Sequence, residues 1–195
     1  MTEGLRLRPV LESDLVRLEQ MFTDPEAIGV FNWGGFTDPT RWRRRFAEDQ
    51  LLGDEKSVLM VDLDDVALGF VSWAKVRTGQ ISYVFEYGIS LWPEHRGKGH
   101  GTAAQLLLAR YLFAHEPVNR VQARTEAGNV AERRALEKAG FVQEAVMREY
   151  YFRDGAWRDE VLYRMLRSEL PASELPASGL PVDDQPDGQP AEDRG

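Results

Sequence analysis

The sequence predicts an α+β fold, one mixed and mostly antiparallel sheet flanked by helices, and three observations carry that prediction. Strand-length apolar runs follow one another between residues 56 and 92 with no helical stretch among them. A last pair of strands flanks Asp154-Gly155, the dipeptide that favours a hairpin turn. Helical periodicity appears before, between and after these sets, but not between every two strands, so the chain does not wind as repeated β-α-β units. The predicted order is β-α-α-β-β-β-α-β-α-β-β.

Each element has a local reason. LRLRPV (5–10) alternates apolar and basic residues, as a half-buried strand does. In ESDLVRLEQMF, Ser13 is the expected N-cap, with Leu15, Leu18 and Phe22 on one helical face. TDPTRWRRRFAEDQLL (37–52) puts Asp38 before Pro39, a cap followed by a first-turn proline. Its RWRRR run reads as a solvated helix face. KSVLMVDLDDVALGFVSWAKVR (56–77) is two strands turning at Asp64-Asp65, and QISYVFEYGISLW (80–92) is the third. Helix TAAQLLLARYLFAH, strand VNRVQART and helix VAERRALEKAG follow. Strands FVQEAVMREYYF and AWRDEVLYRML complete the domain.

Residues 1–170 are expected to form that single domain. The last stretch, 171–195, is rich in Pro, Gly, Ser and acids, repeats ELPAS, and reads as a disordered tail. Its net charge of −5 accounts for most of the chain's −8, so the domain itself carries −3. That balance argues against nonspecific nucleic-acid binding. No apolar run is long enough for a membrane span, and MTEGLRLRPV lacks a signal peptide's apolar stretch, so the expectation is a cytoplasmic protein without membrane partners. Zero cysteines exclude disulfides and any acyl-cysteine intermediate. His95, His100 and His115 lack metal-ligand spacing with nearby acids, and no metal is expected.

The informative stretch is LWPEHRGKGHGTAAQ (91–105), where Gly97, Gly99 and Gly101 stand at a strand-to-helix junction beside Arg96 and Lys98. Alternate glycines expose backbone N–H groups, and a helix start adds its own unpaired N–H groups and the positive end of its dipole. Together they make an anion site suited to phosphate. The P-loop spacing is absent. Gly99-His100-Gly101-Thr102-Ala103-Ala104 formally matches the dinucleotide fingerprint, but antiparallel strands precede it and no clear ribose-binding acid ends the next strand. GISLW is half of a nucleophile elbow, with Trp92 in place of the last glycine.

Arg96-Gly97-Lys98-Gly99-His100-Gly101 resembles the [RQ]-x-x-G-x-[GA] acyl-CoA loop of the GNAT N-acetyltransferases. NVAERRALEKAGF, from Asn129, is similar to that family's N…EK.GF segment, and REYYFRDGAWRDEVLYRML to the closing strands of its RimJ/RimL-type branch. The resemblance covers about residues 5–170. It implies the GNAT fold, acetyl-CoA as cosubstrate and direct transfer of acetyl to a primary amine, either a protein N-terminus or a small molecule such as an antibiotic, polyamine or amino acid. A noncatalytic CoA-binding or regulatory domain is the alternative. The chain is expected as a monomer or homodimer.

The resemblance also assigns residues. Backbone N–H groups from Gly97 through His100 to Thr102 would surround the pyrophosphate, with Arg96 and Lys98 adding charge. Pantetheine would pair with the strand end at Ile89–Leu91, where an N–H, that of Ile89, would polarise the thioester carbonyl. Glu86, three residues earlier, is the base candidate, or else a solvated strand-face carboxylate; its neighbour Tyr87 points to the opposite face. Asn129-Val130-Ala131-Glu132 fits a capping box, while the family reading has Asn129 hydrogen-bonding pantetheine. At Glu132 the RimJ/RimL-type branch usually carries Ser as the proposed thiol acid, so this Glu is either the cap's partner or a substitute acid. Tyr150 and Tyr151 are further acid candidates. Phe31, Trp33, Phe36 and Trp73 line the acceptor pocket or belong to the core.

Overall fold

The computed structural model describes residues 4–170. The expected tail, 171–195, lies outside the described residues. Seven strands form one sheet in the order β1-β2-β3-β4-β5-β7-β6: β1 (Leu5–Pro9), β2 (Lys56–Leu63), β3 (Val66–Arg77), β4 (Tyr83–Leu91), β5 (Arg120–Glu126), β6 (Val142–Arg153) and β7 (Ala156–Leu166). Every neighbouring pair is antiparallel except β4 with β5. The helices are α1 (Leu15–Thr23), α2 (Pro25–Ile28), α3 (Arg41–Asp49), α4 (His100–His115) and α5 (Val130–Lys138). The mixed, mostly antiparallel α+β sheet is as the sequence predicts.

Two apolar clusters cover opposite faces of the sheet. Alternation along β2 divides its side chains: Val58 and Met60 join Leu15, Leu18 and Met21 of α1 and Trp42 of α3, while Leu59 and Val61 join the other cluster. That second cluster is built from Leu108, Leu112 and Phe113 of α4, Leu136 of α5, and Phe85, Val121 and Tyr163 of the sheet. With both faces covered, β2 reads as a continuous apolar run.

Three local readings change. Ser13 does not cap α1; Asp14 accepts from the Leu11 N–H at 2.8 Å, a tight turn spans Glu12–Asp14, and α1 starts at Leu15. Pro39 does not open α3, because Asp38 spends its Oδ1 on the Thr40 N–H (2.9 Å) and hydroxyl (2.7 Å), holding a turn that delays the helix to Arg41. The cap-then-proline signature acts one element earlier. Asp24 accepts from the Glu26 N–H at 2.9 Å and Pro25 begins α2, a helix the sequence reading omits.

The basic positions of β1 are not simply solvated. Arg6 and Arg8 donate to Asp62 at 3.1 and 2.9 Å, and Arg8 also holds Asp14 at 2.7 Å. Asp62 is only 1% exposed, so this pairing is what permits its burial. At the other end of β2's partner, Gly69 is required by close approach. A Cβ there would stand 2.2 Å from the Ser90 carbonyl oxygen and 2.7 Å from Leu91 Cα. The end of β4 is thereby pressed against β3, away from β5.

Candidate active site

The site begins where a strand pair ends. β4 and β5 pair only over Phe85–Tyr87 and Val121–Ala123, yet β4 runs on to Leu91 and β5 to Glu126. Beyond Tyr87 the strands diverge and the β5-facing edge of β4 has no strand partner. The gap opens into a cleft of about 530 Å³, lined by Ile28–Asn32, Ile89–Leu91, the glycine loop and the outer face of α5.

The glycine loop forms one wall. Gly97 and Gly99 have φ of 71° and 84°, and a Cβ at either would meet nothing within 4 Å. Backbone conformation therefore demands glycine at both, and the space beside them is open. Gly99 is the N-cap of α4 and supplies no side-chain cap. The first helical bond runs from Ala103 N–H to Gly99 O, so the N–H groups of His100, Gly101 and Thr102 precede it and lack intrahelical partners. Three donors thus stand beside the cleft at the positive end of a 16-residue helix.

Arg96 is placed as a brace. Its Nε donates to Leu91 O at 2.8 Å, its Nη2 donates to Ala27 O, and Gly29 packs against the guanidinium. It lines the cleft while tying the end of β4 to the loop after α2. Lys98 is exposed, and burial, with Lys98 and His95 nearby, holds His100 below the usual imidazole range. Sequence reasoning missed two cations on the facing wall. Arg134 and Lys138 lie one turn apart on α5 and line the cleft. Only their position in the fold reveals them, since on sequence they are two charges of an ordinary helix surface.

Asn129 and Glu132 sit at the start of α5. Asn129 Oδ1 accepts from the Glu132 N–H at 3.3 Å and its Nδ2 donates to Thr125 Oγ1 at 3.1 Å. The reciprocal half of the capping box is missing, because the Asn129 N–H donates to Glu126 O at 2.8 Å. That carbonyl leaves the Glu132 carboxyl free of cap duty, on the cleft wall. Burial raises its pKa from 4.5 to about 7, against a smaller opposing pull from the Gln105 amide.

On the opposite face of the sheet, Glu86 accepts from Arg124 Nε and Nη2 at 2.8 and 2.6 Å and from Gln122 Nε2 at 3.0 Å. These take three of a carboxylate's roughly four lone-pair sites. Arg124 also pairs with Glu160 at 3.1 Å and lies under the Tyr150 ring. Glu126 and Arg153, both largely buried, pair at 2.8 Å beside Phe31. Phe31 lines the cleft, and Trp33 meets the exposed Phe36 edge-on at 5.2 Å. Tyr151 places its hydroxyl beside Gly34 of the same loop. Trp73 is not brought to the cleft; it is buried in the core against Tyr111 of α4.

Comparison with known proteins agrees with this geometry. A family model described as an acetyltransferase (GNAT) domain matches residues 4–142. The SPbeta prophage-derived uncharacterized N-acetyltransferase YokL of Bacillus subtilis (strain 168) is 26% identical over 168 residues, spanning 86% of this chain and 93% of that protein. The spermidine N-acetyltransferase of Vibrio cholerae, solved with CoA and spermine, superposes with a TM-score of 0.75 at 19% identity, covering 85% of this chain and 97% of the other. Mycobacterium smegmatis RimJ in complex with CoA-disulfide gives 0.69 at 24% identity, covering 88% and 86%. At these identities the two structural likenesses speak to the fold.

Two outcomes are expected. Gly101 has no positive φ, and a Cβ there meets only Leu91 Cδ1 at 3.8 Å, so Gly101→Val should fold normally. It should still weaken CoA binding about tenfold or more by calorimetry, since the branched side chain stands over the loop's N–H groups; unchanged affinity would move the phosphate site elsewhere. For Glu132, between pH 4.5 and about 7 the folded chain keeps a proton that the unfolded chain has released. Stability from this group is therefore full at low pH and is lost as pH rises through that window, by at most about 3 kcal/mol. Urea unfolding across this range should show Glu132→Gln gaining on the parent as pH rises, and parallel curves would contradict the buried carboxyl.

Proposed function

Because the chain belongs to the GNAT acetyltransferase family, we propose that its acceptor is the N-terminal amine of a peptide or protein, as in the RimJ/RimL-type branch. The chain is an acyl-CoA-dependent N-acetyltransferase. Acetyl-CoA supplies an activated acyl group as a thioester. The residues present fit it: N–H groups without intrahelical partners at the start of α4 would receive phosphate, and the unpaired edge of β4 would pair with the pantetheine amides. Lys98, Arg134 and Lys138 complement the negative charge.

The acceptor approaches from the sheet face that carries Glu86, opposite α4 and α5. Pairing is the observation that supports a peptide over a polyamine. Glu86 and Glu160 are held by Arg124, and Glu126 by Arg153, so these three carboxylates are already engaged and do not form a free row for a polycation. The face does offer exposed aromatic rings, Tyr150 over Arg124 and Phe36 on the loop beside the cleft, suited to peptide backbone and side chains. Glu86 keeps one lone-pair site, on Oε1, for the ammonium or for a water that takes its proton. The amine then attacks the thioester carbonyl directly; a C–N bond forms and the C–S bond breaks. An N–H of β4 at Ile89 polarises the carbonyl oxygen. Glu132, protonated near neutral pH by its burial, gives its proton to the departing thiolate.

Thiol release should be measured over peptides with free N-termini, Nα-blocked lysine peptides, spermidine and an aminoglycoside. The expected result is the highest kcat/KM for free N-termini. Preference for spermidine would overturn the acceptor assignment, and CoA binding with no turnover of any amine would favour the noncatalytic domain. Glu86→Gln should lower kcat/KM by roughly 10²-fold or more at unchanged acetyl-CoA affinity, with partial recovery at high pH where free amine is abundant. A loss under about threefold with the parental pH profile would reduce Glu86 to a partner of Arg124.

A further inference from the structure

Arg158 of β7 stands apart from the other arginines of its sheet face. Val161, Tyr163 and Met165 of β7 point into the core under α4 and α5, and Glu160 points the other way, where it pairs with Arg124. Side chains alternate along a strand, so Arg158, two residues before Glu160, shares the face of Glu86 and Glu160. Its cross-strand partner on β6 is Tyr151, whose hydroxyl lies beside Gly34 of the acceptor loop. Arg158 also stands at the end of the sheet where β4 and β5 diverge, because Glu160 is opposite Glu126, the last residue of β5. Arg120, Arg124, Arg153 and Arg164 on this face each hold a carboxylate. Arg158 has no ion pair among the described residues, and its half-buried side chain keeps an Nε–H shielded from solvent with no acceptor. A buried donor without a partner is costly, and this one is not rescued from within the sheet. The acids beside it are already engaged, Glu160 by Arg124 and Glu126 by Arg153.

We propose that Arg158 is a specificity-determining residue that pairs with an acidic side chain close to the N-terminus of the acceptor peptide. The inference deepens the peptide reading and rests on it. From the free edge of β4, across β5 to β7, is at least about 10 Å at ordinary strand spacing. The α-carboxylate of a free amino acid lies too close to its own amine to span that width. An extended chain advances about 3.3 Å per residue, so the second to fourth residues of a peptide bring a side-chain carboxylate within reach of Arg158. Nε–H and one Nη–H form a planar fork that a carboxylate fills with two parallel bonds, and the shielded Nε–H then has its acceptor. Selection works from both sides. An acidic side chain completes the orphaned donor, whereas a lysine at the same place meets a like charge that no acid offsets. Arg153, nearer the cleft, cannot take this part, because its guanidinium is spent on Glu126 and Asp154 beside Phe31.

The test uses the full-length chain, saturating acetyl-CoA and peptides with free N-termini in which Asp or Glu is moved through positions two to four. Matched peptides carry Asn or Gln, and Lys, at the same place. At one of these positions the parent should turn over the acidic peptide with kcat/KM about tenfold above its amide twin, mainly through KM, and the lysine peptide least well. Arg158→Gln should bring the acidic-to-amide ratio to within about twofold, with acetyl-CoA affinity by calorimetry unchanged. Arg158→Glu should reverse the order in favour of lysine, which a merely structural role for Arg158 would not do. Arg158→Met, which keeps the apolar stem, carries the same ratio if Arg158→Gln does not fold. Equal kcat/KM for acidic and amide peptides in the parent, or an acid preference that survives in Arg158→Gln, would overturn this inference and leave the peptide reading standing. Turnover of spermidine with none of any peptide would overturn both.

Discussion

The divergence of β4 from β5 is the constraint on which the rest depends. A parallel pair that continued past Tyr87 and Ala123 would satisfy its own backbone groups and leave no room for a ligand. Its interruption is built from β3's side. Gly69, lacking a Cβ, lets the Ser90–Leu91 backbone crowd against β3, and next to it β3 carries a bulge at Leu68, opposite Val61–Asp62 of β2. The strand is thus held on one edge and left free on the other. The free edge of β4 thus offers backbone groups that a ligand carrying amides of its own could pair with.

The same economy governs the charges. Glu86 and Glu160 share Arg124 and Glu126 pairs with Arg153, whereas among the described residues Glu132 has no ion pair and burial outweighs the opposing pull of the Gln105 amide on it. That contrast assigns different chemistry to acids that look alike in the sequence. A carboxylate under a bidentate guanidinium, as Glu86 is, has most of its lone-pair sites committed to protein donors. One that is partly buried without a cationic partner, as Glu132 is, keeps its proton to higher pH. The carbonyl of Glu126 secures the difference, because by taking the Asn129 N–H it removes the one backbone donor that would have kept Glu132 in the helix cap.

Much of this was legible from local pattern, and what was not depended on distant contacts. β2 to β4 and α4 follow from periodicity and turn residues, and the glycine loop from spacing. The starts of α1 and α3 shifted because Asp14 and Asp38 used their carboxylates on turns that no propensity distinguishes from caps. Arg96 is expected to add charge for phosphates because it adjoins the loop, and its bracing role cannot be read from the sequence. Its partner, the Ala27 carbonyl, lies 69 residues away in sequence. Trp73 and Trp33 were equivalent aromatic candidates until the sheet sent one into the α4 core and the other to the loop beside the cleft.

Arg96 carries a last consequence. The loop from Gly29 to Phe36, with Phe31 on the cleft and Phe36 exposed, is fastened by the same side chain that fastens the end of β4 next to the glycine loop. Gly29 takes a φ of 87° to pack on that guanidinium, and the N–H groups of Asn32 and Trp33 then bond back to its carbonyl. Asn32 in turn donates to Ser90 of β4 at 3.4 Å. The wall of the acceptor side and the wall of the cosubstrate side are therefore one mechanical unit. On the proposed reading, a thioester against β4 and an amine under the loop would be held by a frame that shares these bonds and that neither ligand has to build.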